Sequence, residues 1–230
     1  MTSGNASFDT RDGSRPRAVI FDMDGTLLDS LPVVLECYRQ TVVEFGGPDL
    51  SAEEILQAFA IGPAARMLET LIGRPVGAKA IASYEARLQK AVDAIVVYDE
   101  IHDALASLAT HVPLGVFTAA DTRAAELLLT VTGLRPSFGP VLGADGVPRP
   151  KPAPDGVIGV ARALGVSPAE VAYVGDGPAD VEVARACGAL AVAAGWGHLF
   201  TDGRDADITL RSPSELLTLV PLRDATAGGR

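Results

Sequence analysis

Two aspartates separated by a single residue follow an apolar stretch near the start of the chain. The stretch 18–21 reads Ala-Val-Ile-Phe; Asp22 and Asp24 come next, with one methionine between them, and then Gly25 and Thr26. Side chains alternate between the two faces of a strand, so both carboxylates are expected to point the same way. Two like charges ~4 Å apart repel by about 1 kcal/mol in water and about 4 kcal/mol at an effective dielectric constant of 20. A bound cation, or a reaction that uses the carboxylates, would offset that repulsion.

Further polar residues follow strands predicted later in the chain: Thr118, Lys151, Asp176 and Asp180. From residue 99 onward the patterns predict strands at 113–117, 141–142, 171–174, 189–193 and 208–210, alternating with helices at 99–109, 123–131, 155–164, 179–187 and 214–220. Such alternation with short links indicates an α/β fold with a doubly wound parallel sheet. Sites in these sheets lie at the carboxyl ends of the strands. All the polar residues named so far fall at such ends or on the loops that follow them.

The segment between the first strand and residue 98 shows helical patterns alone. Pro32 stands at a helix start, where its missing N–H does no harm, and this helix is predicted to end at Gly46. Ser51 and Glu54 have the spacing of a capping box that opens a second helix. A third helix is expected to end near residue 72, and a fourth to span 78–94 with apolar residues at helical spacing. We call residues 31–98 the helical insert.

The composition excludes several classes of protein. The 230 residues include 19 basic and 29 acidic ones, a net charge of −10, whereas a nucleic-acid-binding protein normally shows a basic surface. No nucleic-acid partner is therefore expected. No apolar run reaches the ~18 residues of a membrane span. The N-terminus also has no apolar segment of secretory type, so we expect a cytoplasmic protein without a membrane partner.

The two cysteines and the two ends of the chain each allow one further prediction. Cys37 and Cys187 have no metal-ligand spacing and are predicted to be buried free thiols in a reducing compartment. Residues 1–15 and 223–230 contain few apolar groups and are predicted to be disordered tails.

The ordered set of polar residues resembles the four motifs of the haloacid dehalogenase-like hydrolase superfamily. The motifs are Asp-Met-Asp-Gly-Thr from Asp22, then Thr118, then Lys151 between prolines, then Gly-Asp-Gly-Pro-Ala-Asp from Gly175. The helical insert resembles the small cap of the phosphoglycolate phosphatase-like branch. The resemblance, over roughly residues 17–211, implies a Rossmann-like core of residues 16–30 and 99–222 that carries a four-helix cap of residues 31–98.

The resemblance also implies catalytic roles. Asp22 would be the nucleophile that forms an aspartyl-phosphate, and Asp24 the general acid and base. Lys151 and the hydroxyl of Thr118 would hold the phosphoryl oxygens. The family often has Asn where this chain has Ala119, so only the backbone there is expected to contact the phosphate.

The same resemblance implies a Mg²⁺ cofactor. Its ligands would be Asp22, the main-chain carbonyl of Asp24, Asp176 and Asp180, with Asp180 acting directly or through water. The acids at positions 24 and 180 argue against a dehalogenase, because dehalogenases of this superfamily need no metal and lack the first of these acids.

The substrate is left open by the sequence. A small phosphorylated metabolite is expected, with 2-phosphoglycolate as the best single guess and a sugar phosphate next. Arg66, the turn at Gly62 and Pro63, and Arg87 in the helical insert are the candidates for contact with the leaving group. Trp196 and His198 are expected to have packing or surface roles. The alternatives are a β-phosphoglucomutase-like phosphoryl transfer, a pyrophosphatase or nucleotidase, and a non-catalytic phosphate-binding protein.

Overall fold

A computed structural model describes residues 15–220, and within that range six strands form one sheet. Its strands are β1 Ala18–Phe21, β4 Leu114–Phe117, β5 Val141–Leu142, β6 Val171–Gly175, β7 Leu190–Ala194 and β8 Ile208–Leu210, and a separate pair consists of β2 Leu28–Asp29 and β3 Val96–Val97. The sheet order is β5-β4-β1-β6-β7-β8, and each neighbouring pair is parallel. The predicted doubly wound parallel sheet is confirmed.

Helices connect the strands and form the helical insert. The α-helices are α1 Leu31–Glu44, α2 Ala52–Gln57, α3 Ala64–Ile72, α4 Ala78–Ala91, α5 Ile101–Leu108, α6 Thr122–Val131, α7 Asp155–Ala163 and α8 Pro178–Cys187. Short 3-10 helices occupy Ala58–Ile61, Val92–Ala94, Arg135–Ser137, Ala144–Gly146, Pro168–Glu170 and Pro213–Leu219. The first four α-helices lie within the helical insert, as the periodicity predicts.

The central strand β1 is buried on both faces. Val19 and Phe21 pack into one apolar cluster with residues of α5 and α6, whereas Ala18 and Ile20 pack into a second cluster with residues of α7 and α8. This alternation follows from the two-residue period of a strand. Because helices cover both faces, the strand has no polar position until its carboxyl end, where Asp22 follows.

The helical insert shares the first of these clusters with the core. Within it, the rings of Tyr38 on α1 and Tyr84 on α4 stack with centroids 4.3 Å apart. The predicted capping box is confirmed at α2, where the Ser51 hydroxyl accepts from the backbone N–H of Glu54 and the Glu54 carboxylate accepts from that of Ser51. The antiparallel pair β2 and β3 joins the residues just before the insert to the last residues of the insert.

Three predicted helices differ from those observed. The helix predicted over 78–94 ends at Ala91, and a 3-10 helix follows it. The helix predicted from residue 99 begins at Ile101, because Glu100 has a φ of 67° and an α-helix cannot include a left-handed residue. The last predicted helix is a 3-10 helix, Pro213–Leu219.

Three further predictions concern the ends of the chain, the cysteines and membrane-spanning helices. The tails predicted at 1–15 and 223–230 lie outside the described residues except for Arg15, whose guanidinium donates to the carbonyls of Thr218 and Val220. Cys37 and Cys187 are free thiols; Cys37 is buried, as predicted, whereas Cys187 is partly exposed at the end of α8. In the described range, the helices are all too short or too polar to cross a bilayer.

Candidate active site

The polar residues predicted from the motifs meet at one edge of the sheet. Strand β1 lies between β4 and β6, so their carboxyl ends are adjacent. Asp22 follows β1, Thr118 follows β4, and Asp176 follows β6. Asp180 joins them because α8 begins two residues after Asp176. The sheet order therefore brings together residues that are far apart in the sequence.

Three of the carboxylates form a compact cluster. Asp22, Asp176 and Asp180 are buried, and each offers an oxygen within 4.8 Å of the other two. Burial is the largest influence on the pKa of Asp176 and raises it to about 7, although the backbone N–H of Leu199 donates to Oδ2 at 2.9 Å and favours the charged form. Its other oxygen, Oδ1, is buried without a hydrogen-bond partner. A polar atom left unpaired in this way fits a ligand such as a cation.

Lys151 supplies positive charge to this cluster. Its Nζ donates to Asp22 Oδ1 at 2.6 Å and to Asp180 Oδ1 at 2.7 Å. The ammonium also lies 5.4 Å from the ring centroids of Phe117 and Tyr173. Burial by itself would lower the pKa of Lys151, but the two carboxylates outweigh it and the pKa is raised. The lysine therefore remains protonated.

The pKa of Asp22 is raised well above the usual range for an aspartate. Burial is the main cause; Lys151 opposes it, while the charges of Asp180 and Asp176 add to it. The cluster therefore carries excess negative charge around one ammonium. Three oxygen-donor carboxylates with uncompensated charge match the preference of Mg²⁺ for hard oxygen ligands, so the residues present fit this ion.

Asp24 differs from the cluster in its partners. Its carboxylate is not one of the three clustered ones and accepts from the hydroxyl of Ser30. Burial raises its pKa, although contacts with Ser30 and Thr118 and the charge of Lys151 lower it. A carboxyl group with a raised pKa can hold a proton and release it to a leaving oxygen.

Thr118 and Ala119 line the same cavity as the carboxylates. Thr118 is fully buried, and its hydroxyl accepts from the backbone N–H of Ala120 at 3.2 Å. Arg66 is not brought to the cavity: it is exposed on α3 and does not line it. The buried residues Met67 and Leu68 occupy the opposite face of that helix.

The loop after β7 supports the cluster through contacts that the motifs did not predict. Its Trp196 indole donates to the carbonyl of Thr26 at 2.9 Å, and His198 Nε2 lies 2.7 Å from Asp29 Oδ1. A Cβ added at Gly197 would lie 2.2 Å from the Cβ of Asp176, so only glycine permits this approach. In the sequence, this close approach is indicated only by the two glycines that flank Trp196.

The helical insert contacts the core on the far side of a cavity of about 200 Å³. The carboxylate of Asp121 lies near the backbone N–H of Ala64 at the start of α3, and this contact lowers the pKa of Asp121, whereas burial raises it. Arg123 Nη1 lies 3.4 Å from Glu85 Oε2 on α4. The cavity therefore has a charged end at the sheet and a second end formed largely by the insert.

Comparison with known proteins agrees with this geometry. The sequence model of the haloacid dehalogenase-like hydrolase family matches residues 16–188. A phosphoglycolate phosphatase from Chromobacterium violaceum is 32% identical over 213 residues, which cover 89% of this chain and 96% of the relative. An N-acetylmuramic acid 6-phosphate phosphatase from Pseudomonas putida is 27% identical over 216 residues, with 90% and 96% covered.

A solved structure shows the same fold. The structure of CbbY from Rhodobacter sphaeroides in complex with xylulose-1,5-bisphosphate superimposes with a TM-score of 0.78 at 20% identity, covering 90% of this chain and 100% of that one. The family model spans most of the chain and includes every strand end that carries a clustered carboxylate. The chain belongs to the haloacid dehalogenase-like hydrolase family.

Proposed function

We propose that this hydrolase is a Mg²⁺-dependent phosphatase that cleaves a small phosphomonoester through an aspartyl-phosphate on Asp22. The observation that carries the proposal is the buried cluster at the sheet edge: three carboxylates, one of them with an unpaired oxygen, around the ammonium of Lys151. Such a cluster has the groups needed to bind a phosphoryl group and attack it.

The first step forms a bond between a carboxylate oxygen of Asp22 and phosphorus. The ester P–O bond breaks at the same time, and Asp24 donates its proton to the leaving oxygen, which departs as an alcohol. In the second step a water molecule gives a proton to Asp24 and attacks phosphorus, so that inorganic phosphate leaves and Asp22 is restored. The raised pKa of Asp24 supports its role as the acid in the first step.

The remaining residues hold charge that develops on the phosphoryl oxygens. Lys151 lies against Asp22 and is placed to neutralise an oxygen bound there, and Thr118 with the backbone at Ala119 provides hydrogen-bond donors. Asp22, Asp176, Asp180 and the main-chain carbonyl of Asp24 would hold Mg²⁺. The ion would screen the repulsion between the attacking carboxylate and the phosphoryl oxygens.

The division of the chain follows from the same proposal. Residues 16–30 and 99–222 carry the phosphate-binding groups, and the insert of 31–98 acts as a cap over the leaving group. The contacts of Asp121 with Ala64 and of Arg123 with Glu85 support a closed arrangement in which water is kept from the site.

The test is phosphate release with Mg²⁺ from a panel of phosphorylated compounds. The names of the relatives put 2-phosphoglycolate and an amino-sugar 6-phosphate on the panel, and pyrophosphate and a nucleotide test the alternative hydrolases. Turnover of an ester that disappears with EDTA and with Asp22→Asn supports the proposal. Turnover unchanged in both controls would overturn it, and isomerisation of a sugar phosphate without net phosphate release would indicate a mutase.

A further inference from the structure

From the lining of the cavity we infer that the leaving group of the substrate is uncharged and largely apolar, of the size of one small ring or a short branched chain. This inference rests on the proposed phosphatase function and names its substrate class. It departs from the glycolate ester in the name of the relative from Chromobacterium violaceum, because the leaving alcohol of that ester carries a carboxylate.

The end of the cavity away from the sheet is lined by apolar and aromatic side chains. We call this end the insert half; its principal residues are Tyr38, Phe59, Met67, Tyr84, Leu88 and Leu128. All but Leu128, which lies on α6, come from the helical insert. Apart from Phe59, which is half-buried, each is at most 6% exposed, so a group placed among them is removed from water.

The two tyrosines do not make this half polar. Their rings are stacked with 29° between planes, and burial raises the pKa of both hydroxyls, so neither carries a charge. The tyrosine pair therefore offers mainly ring surface to a ligand. A flat or branched apolar group is complementary to such a surface.

Positive charge is absent from the insert half. Among residues 15–220 the charged side chains that line the cavity are those of the sheet edge, and Lys151 is the single cation there. It is already bonded to Asp22 and Asp180. In the helical insert, Arg87 binds Glu44 at 2.9 Å in a different groove, and Arg66 is exposed.

A carboxylate on the leaving group would meet two penalties in this cavity. It would lose its water without gaining a cation or a set of donors, and burial of an unpaired charge is strongly unfavourable. It would also lie near the three clustered carboxylates and the phosphoryl group. An apolar group in the same place gains free energy from leaving water.

The volume limits the size of that group. The cavity measures about 200 Å³. A dry apolar cavity of about 150 Å³ in another protein accommodates benzene. Because the same cavity must also hold the phosphoryl group, it has room for a leaving group no larger than a single ring or a short branched chain.

The experiment compares esters that differ in charge and little else. Benzyl phosphate, 4-carboxybenzyl phosphate and 4-carbamoylbenzyl phosphate have similar leaving-group reactivity, and the amide matches the size of the carboxylate. We expect kcat/KM for benzyl phosphate to exceed that for the carboxylate by at least about 100-fold, with the amide between them. Equal values for the amide and the carboxylate, or a higher kcat/KM for 2-phosphoglycolate than for benzyl phosphate, would overturn the inference.

A substitution that adds a cation to the insert half tests the inference from the opposite direction. Met67→Arg introduces a cation into the insert half, and Met67→Leu is the matched control. The arginine variant is expected to shift the ratio of kcat/KM for the carboxylate to that for benzyl phosphate by about tenfold or more toward the carboxylate. Leu88→Lys is the second site if circular dichroism shows that the first variant does not fold. An unchanged ratio in a folded variant would contradict the inference.

Failure of the proposed function gives a different result from failure of this inference. If none of these esters or the metabolite panel is hydrolysed in an Asp22-dependent manner, the phosphatase proposal fails and the inference fails with it. If 2-phosphoglycolate or the carboxylate ester is the preferred substrate and hydrolysis depends on Asp22, only the inference fails.

Discussion

The two ends of the cavity are built in opposite ways. The sheet edge carries the charged groups of the cavity, and these are held mainly by specific bonds, such as those from Lys151 to Asp22 and Asp180 at 2.6 and 2.7 Å. In the insert half the walls are apolar surfaces in van der Waals contact, typified by the stacked rings of Tyr38 and Tyr84. Charged groups act only at defined distances, whereas apolar walls tolerate changes of similar volume. Substitutions at the sheet edge should therefore have much larger effects.

The largest effect is expected for Asp22→Asn. The amide has nearly the same shape but cannot serve as the nucleophile, so kcat should fall by on the order of 10³-fold or more. The melting temperature should stay near that of the parent protein, because one of three crowded negative charges is removed. Steady-state phosphate release and thermal unfolding check both statements; turnover near the parent value would remove Asp22 from the mechanism.

Replacing Lys151 by methionine should be nearly as severe. The change leaves Asp22 and Asp180 without their cation. We expect a loss of about 10²–10³-fold in kcat. Breaking a buried pair from one side should also lower the free energy of unfolding by about 3–5 kcal/mol. Lys79→Met, at an exposed lysine of α4, is the control; equal effects of the two changes on kcat and urea midpoint would contradict the role of Lys151.

The third prediction concerns Asp176 and Mg²⁺. Asp176→Asn keeps the shape but removes one charge, and the Mg²⁺ concentration for half-maximal rate should rise about tenfold or more. Since the pKa of Asp176 is about 7 without metal, protons compete with the ion below that pH. Apparent affinity should weaken as pH falls from 7.5 to ~6 in the parent and much less in the variant. Titrations at several pH values measure this, and parallel pH profiles would contradict it.

The raised pKa of Asp176 also predicts how the free energy of unfolding depends on pH. The folded, metal-free protein binds the proton of Asp176 up to about pH 7, whereas an unfolded chain releases it near 3.8. The contribution of this group to the free energy of unfolding therefore falls as pH rises between these values. Urea midpoints measured with EDTA should show the decline, and saturating Mg²⁺ should reverse it at pH 7.5.

A smaller effect is expected for Gly197→Ala. The added methyl would collide with Asp176 and with the carbonyl of Gly25, at 2.2 and 2.3 Å, so the loop must move. We expect a loss of about 1–3 kcal/mol in stability, together with weaker Mg²⁺ binding. Gly77→Ala, whose methyl would meet nothing within 4 Å, is the control. Similar results for both variants would show that the loop does not position Asp176.

The smallest effect is expected for Arg66→Ala. The side chain is exposed and lies outside the cavity, so kcat/KM should change by less than about twofold. This variant sharpens the contrast between the two ends, because Arg66, with Arg87, was one of the charged residues that the sequence offered for the leaving group. A large loss of kcat/KM would mean that the insert contributes a cation after all.

The charged end could be predicted from the sequence because its signals are local. Asp22 and Asp24 stand two residues apart after an apolar strand, and Asp176 and Asp180 follow another strand at the start of a helix. Alternating strands and helices imply a parallel sheet, and a parallel sheet gathers its carboxyl ends at one edge. Residue type and local pattern were sufficient to bring these groups together.

The precise partners depend on the tertiary structure. Lys151 reaches Asp22 across 129 residues, and the indole of Trp196 reaches the carbonyl of Thr26 across 170. Neither contact has a local pattern. The requirement for glycine at position 197 becomes evident only in the structure, where Asp176 packs against it.

The insert half of the cavity could not be predicted from the sequence, and the reason is physical. An apolar side chain that packs in a core and one that lines a cavity occupy the same positions of a helix and have the same periodicity. Met67 and Leu88 look like ordinary core residues, and only the way α3, α4 and α6 pack leaves a space between them. The carboxylate cluster at the sheet edge was therefore predictable from residue types, whereas the apolar lining of the cavity depends on how the helices pack.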